Sequence, residues 1–140
     1  MRMLSAVMLL VAMPFTAQAA APREPALSAA QSKVVSRSIS ELKLPEERRL
    51  ASDWSNAKKV AEVICRPAAL EALKKQIPGA DRVFLGTSDP TTLTLLSNKS
   101  LVGAGQVRSG ADWTEFSFTC QLDPQTGKAR SFTAKMTPGG

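Results

Sequence analysis

The sequence predicts an α+β fold in which N-terminal helices pack on one face of a C-terminal antiparallel β-meander of about four to five strands. Apolar residues recur at helical spacing up to about residue 77, and from Arg82 onward they alternate with polar residues. The clearest strand is 113–122, in which every second residue from Phe116 to Leu122 is apolar. Because the helical pattern comes first and the strands follow one another, a sheet with one covered face is expected.

Residues 1–19 have the pattern of a secretory signal peptide rather than of a folded element. A short basic start is followed by an apolar run to Phe15 and by Ala17-Gln18-Ala19, the small-residue pattern of a cleavage site. This run is shorter than the roughly 20 apolar residues of a transmembrane helix, and no later segment approaches that length. We therefore expect an exported chain with no transmembrane segment after cleavage, a flexible leader at residues 20–26 and a single α+β domain at residues 27–137.

Three helical segments are predicted before the sheet. The first covers residues 29–43, because Ser28 and Gln31 form a capping-box pattern ahead of apolar residues at helical spacing. Its apolar stripe is thin, so the sequence leaves open whether it docks on the domain. The second helix begins at Pro45, a residue suited to the first helical turn, and polar residues around Trp54 favour a break there.

The second and third helices each carry an apolar stripe that we expect to be buried. The third helix is predicted to open at Pro67 and to end before Pro78. The stripe of the second helix comprises Leu50, Trp54, Ala57, Ala61 and Ile64, and the row of the third comprises Leu70, Leu73 and Ile77.

Five strands are predicted from alternation and from the turn residues between them. A turn at 88–90 is expected between the first two strands. Because a strand continues through Gly103-Ala104-Gly105, we interpret these glycines as a bulge or a close approach of a helix, and not as a phosphate-binding loop. The predicted strands are Arg82–Gly86, a short strand around Leu93 and Leu95, Leu101–Arg108, 113–122 and Phe132–Met136.

The chain is basic, with a net charge of +6 that falls to +5 when Arg2 is removed with the signal peptide. In an exported protein this charge favours attraction to an anionic surface of the cell envelope or to an envelope protein. A basic protein without such attraction is the simpler alternative. Nucleic acid is not expected as a partner, because export points away from it and the basic residues are scattered along the sequence.

The two cysteines, Cys65 and Cys120, are expected to form a disulfide, because exported proteins usually mature in an oxidising compartment. For a loop of about 55 residues, a chain-entropy model gives such a bond a contribution of about 4 kcal/mol. The sequence has no C-x-x-C motif and no histidine. We therefore expect neither a zinc site nor a redox-active cysteine pair, and no cofactor.

The one motif with a catalytic precedent is Ser55-Asn56-Ala57-Lys58, which fits the S-x-x-K pattern of penicillin-recognising enzymes. Those enzymes also need S-D-N and K-T-G elements, which this sequence lacks. We therefore place Ser55 and Lys58 on a solvated helix face and predict that the protein is not an enzyme. The carboxylates to which acid-base work would otherwise fall are Glu46, Glu47, Asp53, Asp112 and Glu115.

Trp113 and Glu115 are the residues that we predict to contact a partner. Both are out of phase with Phe116, so they belong to the sheet face opposite the helices. Tryptophan is also enriched at binding hot spots. Trp54, in contrast, lies on the stripe of the second helix and is expected in the core.

Four short motifs occur in order along the chain: a cysteine-bearing helix end at 65–67, an Ala-Asp-Arg-Val strand start at 80–83, an R-S-G-x-x-W turn at 108–113 and an F-x-C strand at 118–120. Over about residues 44–135, this set resembles a family of small exported bacterial proteins that is known only as a domain of unknown function. The resemblance implies a bacterial envelope location, periplasmic or secreted, and supports the disulfide.

Taken together, these patterns predict a small basic exported protein that is held by one disulfide and acts as a non-enzymatic binding or interaction domain. An inhibitor or accessory factor of cell-wall enzymes is a narrower alternative that rests on size and compartment. A small hydrolase is the second alternative.

Overall fold

A computed structural model describes residues 12–14 and 23–138 of the chain. The predicted signal peptide lies outside the described residues except for 12–14, as do residues 20–22 of the predicted leader. The helices are α1 (Ala29–Ser40), α2 (Pro45–Ser52), α3 (Asn56–Lys59) and α4 (Arg66–Gln76), and a π segment (Val60–Cys65) joins α3 to α4. The strands are β1 (Ala80–Leu85), β2 (Leu93–Ser97), β3 (Ser100–Ser109), β4 (Asp112–Asp123) and β5 (Lys128–Met136).

This arrangement of helices followed by an antiparallel sheet confirms the α+β prediction. Among the described residues, no helix has the length and the apolar character that crossing a membrane requires.

Helix α1 is docked on the turns of the sheet through two polar residues. Ser28 and Gln31 form the predicted capping box, in which each side chain accepts a hydrogen bond from the backbone N–H of the other residue, at 3.1 and 3.0 Å. The Gln31 side chain also donates to the Asn98 carbonyl at 2.7 Å, and the Ser28 hydroxyl donates to the Pro124 carbonyl at 2.6 Å. Gln31 is fully buried, so its hydrogen bonds fix the position of α1.

The helical conformation is interrupted after α2, as the polar residues around Trp54 predict. Ser55 caps the next helix, and Glu24 in the predicted leader accepts hydrogen bonds from the backbone N–H groups of Asn56 and Ala57 at 2.7 and 3.3 Å. The break also explains why the predicted burial of Leu50 is wrong. Leu50 lies on the separate helix α2 and is 56% exposed.

Pro67 does not open a separate helix, because α3, the π segment and α4 form one continuous helical stretch. A proline inside an α-helix loses a hydrogen bond to the residue four positions earlier and clashes with that residue's carbonyl. Just before Pro67 the backbone changes to a five-residue spacing, in which the N–H of Arg66 donates to the carbonyl of Ala61. Of the predicted stripe residues on this stretch, Ala57, Ala61, Ile64 and Leu73 are buried, and Leu70 is half-buried.

The sheet is an antiparallel meander in which two short strands, β1 and β2, share the edge position next to β3. The strand order is β1-β3-β4-β5, and β2 also pairs with β3. β1 pairs with residues 105–109 of β3 and β2 with residues 100–103, so the two short strands lie end to end along one edge. The turn predicted at 88–90 therefore does not reverse the chain, because β1 and β2 run in the same direction.

The core lies between the helices and one face of the sheet. On β4, the side chains of Phe116, Phe118, Cys120 and Leu122 face the helices, and none is more than 4% exposed. The predicted disulfide joins Cys65, the last residue of the π segment, to Cys120, with a Cα–Cα distance of 6.2 Å. The helical layer is therefore linked covalently to the centre of the sheet.

The prediction that Gly103 and Gly105 mark a bulge or a close approach of a helix is wrong. These glycines leave space for aromatic rings of the neighbouring strand. Both pair in regular register with phenylalanines of β4, Gly103 with Phe118 and Gly105 with Phe116. A Cβ atom on Gly105 would lie 2.7 Å from the ring of Phe116 and 2.5 Å from the carbonyl oxygen of Phe84. Glycine is needed there because the ring and the neighbouring backbone fill the space above it.

Candidate interaction surface

The sheet face opposite the helices is open in the part of the chain that the structure describes. Trp113 and Glu115 lie on it, as their phase predicts, and Trp113 is 44% exposed. Glu115 stands across from Gln106 of β3, and Trp113 across from Arg108. The predicted contact residues therefore share one solvent-facing surface.

Trp113 stacks on Phe84, an exposed residue of the edge strand β1. The ring centroids are 5.5 Å apart and the ring planes differ by 13°. Since β3 separates β1 from β4, the two rings meet above β3. A stacked pair of this kind contributes about 0.5–1.5 kcal/mol beyond its buried area. The stack holds two large apolar rings in a fixed position while Phe84 stays 40% exposed.

Three arginines surround the stacked pair. The guanidinium carbons of Arg66 and Arg82 lie 5.6 and 5.8 Å from the centroid of the Phe84 ring. That of Arg108 lies 5.8 Å from the ring of Trp113. These distances are within the range of cation–π attraction. We call these five residues, Phe84, Trp113, Arg66, Arg82 and Arg108, the arginine–aromatic corner.

Arg66 reaches the corner from the helical layer. It is the first residue of α4, and Glu62 one turn earlier accepts a hydrogen bond from its guanidinium at 2.9 Å. Because β1 is the edge strand, a side chain from α4 can extend past it to Phe84. The corner is thus assembled from one helix and three strands.

A bidentate ion pair orients Arg108 within the corner. Its Nε and Nη2 atoms donate to the two carboxylate oxygens of Asp81, each at 3.0 Å. These hydrogen bonds hold the pKa of the Asp81 carboxyl below its usual value and raise the pKa of Arg108. Arg82, in contrast, makes no ion pair with a described carboxylate.

An open groove of about 300 Å³ adjoins the corner between the helical layer and β1. Pro67, Leu70 and Val83 give it apolar walls. Its charged lining residues are Glu62, Arg66, Asp81 and Arg82.

Sequence reasoning placed Trp113 and Glu115 on the open face but missed Phe84 and the arginines. One signal was present: Arg82 and Phe84 alternate with Val83 and Leu85, which are 2% and 4% exposed, so the first pair had to face outward. The register that brings Phe84 to Trp113 depends on which half of β3 pairs with β1, and local alternation does not encode that choice.

The residues of the S-x-x-K motif have other partners in the structure. The Ser55 hydroxyl accepts a hydrogen bond from the backbone N–H of Lys58 at 3.1 Å, which is a helix cap. The Lys58 ammonium lies 5.2 Å from the ring centroid of Trp54, which is half-buried. Among residues 12–14 and 23–138, no group of three or more acidic or cysteine side chains is placed to hold a metal ion.

The family model described as Domain of Unknown Function (DUF930) matches residues 55–137. The chain belongs to this family. The resemblance predicted over about residues 44–135 is thereby confirmed at the level of the family. The DUF930 stretch contains both cysteines and the whole arginine–aromatic corner, whereas α1 and α2 precede it. No curated protein and no solved structure matches the chain.

Proposed function

We propose that the protein is an exported, non-enzymatic interaction domain that contacts its partner through the arginine–aromatic corner. The observation that carries this proposal is the exposed stack of Phe84 on Trp113 with three guanidinium groups around it. Tryptophan and arginine are the residue types most enriched at binding hot spots. An ordered pair of rings also loses little conformational entropy when a partner covers it.

The core does not account for the position of these rings. The covered face already packs Phe116, Phe118 and Phe132 against one another, with ring centroids 5.1 to 6.3 Å apart. Phe84 and Trp113 lie on the other face, where they add exposed apolar surface to the sheet. Aromatic residues and arginine are the side-chain types that are enriched at protein interfaces.

Export is supported by the signal-peptide pattern at residues 1–19 and by a buried disulfide, a bond that persists in oxidising compartments. The non-enzymatic role is supported by the hydrogen bond that the Ser55 hydroxyl accepts as a helix cap, which gives this candidate catalytic side chain a structural role.

The test is capture of envelope proteins by the mature chain and by two variants. Phe84→Ala with Trp113→Ala removes the stack, and Leu96→Ala is the matched control because Leu96 is an exposed apolar side chain, 59% exposed, on another strand. We expect a protein that the native chain and the control both retain and that the corner variant loses, with affinity lower by about 30-fold for a hot spot. Capture of the same proteins by all three chains, each shown to be folded by circular dichroism, would reject the corner as the contact surface.

A further inference from the structure

We infer that the arginine–aromatic corner and its adjoining groove take an acidic peptide segment of a partner protein, one in which a carboxylate side chain neighbours an apolar side chain. This inference rests on the proposed function, since it names the kind of partner that the same surface fits. Two observations support it: two of the three arginines pair with a described carboxylate and the third does not, and the groove has apolar walls.

Arg82 is the cation that is available to a partner. Arg66 donates to Glu62 at 2.9 Å, and Arg108 forms a bidentate pair with Asp81, so both already have a carboxylate within the described chain. Arg82 is exposed and has no such partner there. A guanidinium presents two parallel N–H groups that match one carboxylate. The geometry therefore offers one guanidinium donor for a carboxylate at the rim of the groove.

The groove next to Arg82 fits an apolar side chain. Its volume of about 300 Å³ is at the small end of ligand pockets, and its walls include Pro67, Leu70 and Val83. Glu62 and Asp81 also line it, but each is paired with an arginine of the corner. An acidic residue and its apolar neighbour would then occupy Arg82 and the groove together, next to the exposed Phe84 ring.

The charge distribution favours such a segment over a polyanionic surface. The three arginines and the two paired carboxylates leave a net charge of +1 at the corner, and Glu115 adds a negative charge on the same face. Attachment to anionic lipid by charge needs a cluster of about four to eight basic residues. A single unpaired guanidinium beside an apolar groove instead matches one carboxylate.

The experiment uses Trp113 as a fluorescent reporter. The chain has two tryptophans and no tyrosine, so the Trp54→Phe variant of the mature protein reports from the corner alone. Three decapeptides are titrated, each with one central pair in a glycine–serine background: glutamate–leucine, glutamine–leucine or lysine–leucine. A fourth titration uses vesicles of phosphatidylglycerol and phosphatidylcholine.

The glutamate peptide is expected to bind about tenfold more tightly than the glutamine peptide, since the only difference is one charge-assisted contact. Arg82→Gln should abolish that preference. Lys135→Gln, which removes a positive charge from the opposite edge strand of the sheet, should leave it unchanged. Raising the salt concentration should weaken binding of the glutamate peptide more than that of the glutamine peptide.

Several results would overturn the inference. Equal affinity for the glutamate and glutamine peptides, or an unchanged preference in Arg82→Gln, would show that no carboxylate is read at this site. Binding of the vesicles without binding of the glutamate peptide would assign the corner to lipid. A Trp113 emission unaffected by every probe would also reject an acidic peptide, and the capture experiment would then decide separately whether the corner contacts another kind of protein.

Discussion

The two faces of the sheet are built from alternate residues of the same strands, yet they have opposite characters. On β4 the side chains of Phe116 and Phe118 are 1% and 4% exposed, whereas Trp113 is 44% exposed. The covered face has the phenylalanine cluster and the disulfide, and the open face has the stacked rings and the arginines. Because alternate residues of a strand point to opposite sides of one backbone, the side chains that pack the core and those of the proposed contact surface can be changed separately.

The largest expected effect comes from removing the disulfide that joins the helical layer to the covered face. Cys65→Ala with Cys120→Ala should lower the free energy of unfolding by about 4 kcal/mol, because the bond closes a loop of 55 residues in the unfolded chain. Urea denaturation of the native and double-variant proteins measures the change. Ser117→Ala, an exposed change on the same strand, is the control and should change the free energy by less than about 0.5 kcal/mol.

A loss below about 1 kcal/mol in the double variant would show that packing alone holds the helices on the sheet. The separation of the two faces would then still stand, but the covalent link would not be its main support.

A smaller loss of stability is expected from a substitution at Gly105 of β3, which contacts both the Phe116 ring on the covered face and the backbone of Phe84. Gly105→Ala would bring a Cβ atom to 2.5 Å from the carbonyl oxygen of Phe84 and 2.7 Å from the Phe116 ring. Overpacking of this kind costs about 1–3 kcal/mol. Because Phe84 must shift, the variant should also change the emission of Trp113 in a Trp54→Phe background. A variant as stable as the native chain, with unchanged emission, would contradict the tight packing at Gly105.

The control for that change is Ala104→Ser, the preceding residue, whose side chain is exposed on the open face. It should alter the free energy of unfolding by less than about 0.5 kcal/mol and leave the emission of Trp113 unchanged.

The smallest change in stability is expected from breaking the ion pair of Asp81 and Arg108 at the edge of the open face. The hydrogen bonds from Arg108 lower the pKa of Asp81 from its usual 3.8, so the folded state favours the ionised carboxylate. Its stabilisation is fully present above the unfolded pKa and is lost as the pH falls through the lower folded pKa. The stability difference between the native chain and Asp81→Asn should therefore be constant from about pH 5 to 7 and shrink below about pH 4.

Thermal unfolding of both proteins from neutral to acid pH measures that difference. Asp89 and Asp123 also have lowered pKa values, chiefly because the backbone N–H groups of Thr91 and Gln125 donate to them. Both residues are present in the native chain and in Asp81→Asn, so their contributions cancel in the difference. The pair is solvent-exposed and screened, so the effect should be small at every pH and weaker in high salt. A difference that persists unchanged at pH 2.5 would show that the ion pair is not its source.

Much of the fold was readable from local patterns. The phase of 113–122 placed Phe116 and Trp113 on opposite faces, and the capping box at Ser28 marked the start of α1. These features depend on neighbours within a few residues, so sequence alone encodes them. The pairing of Cys65 with Cys120 was also fixed, because the chain has two cysteines.

What the sequence did not reveal depends on distant partners. The stack of Phe84 on Trp113 needs the register of two strand pairs, and the approach of Arg66 needs the position of α4 against an edge strand. The continuity of the helix through Pro67 depends on a π segment, for which the sequence has no simple signature. The individual elements were therefore predictable, while the corner they build together was not.

One edge of the sheet is divided between the two short strands β1 and β2, and this division affects whether another chain could pair with that edge. A long, flat edge strand offers a row of free N–H and C=O groups to which another chain can add a strand. Here that edge consists of two strands of six and five residues, interrupted by Gly86, whose φ is +75°, and by a short 3₁₀ turn at Pro90–Thr92. The interruption leaves this edge without a continuous strand longer than six residues, so it offers a shorter ladder for strand addition than the nine-residue β5 at the other edge of the sheet.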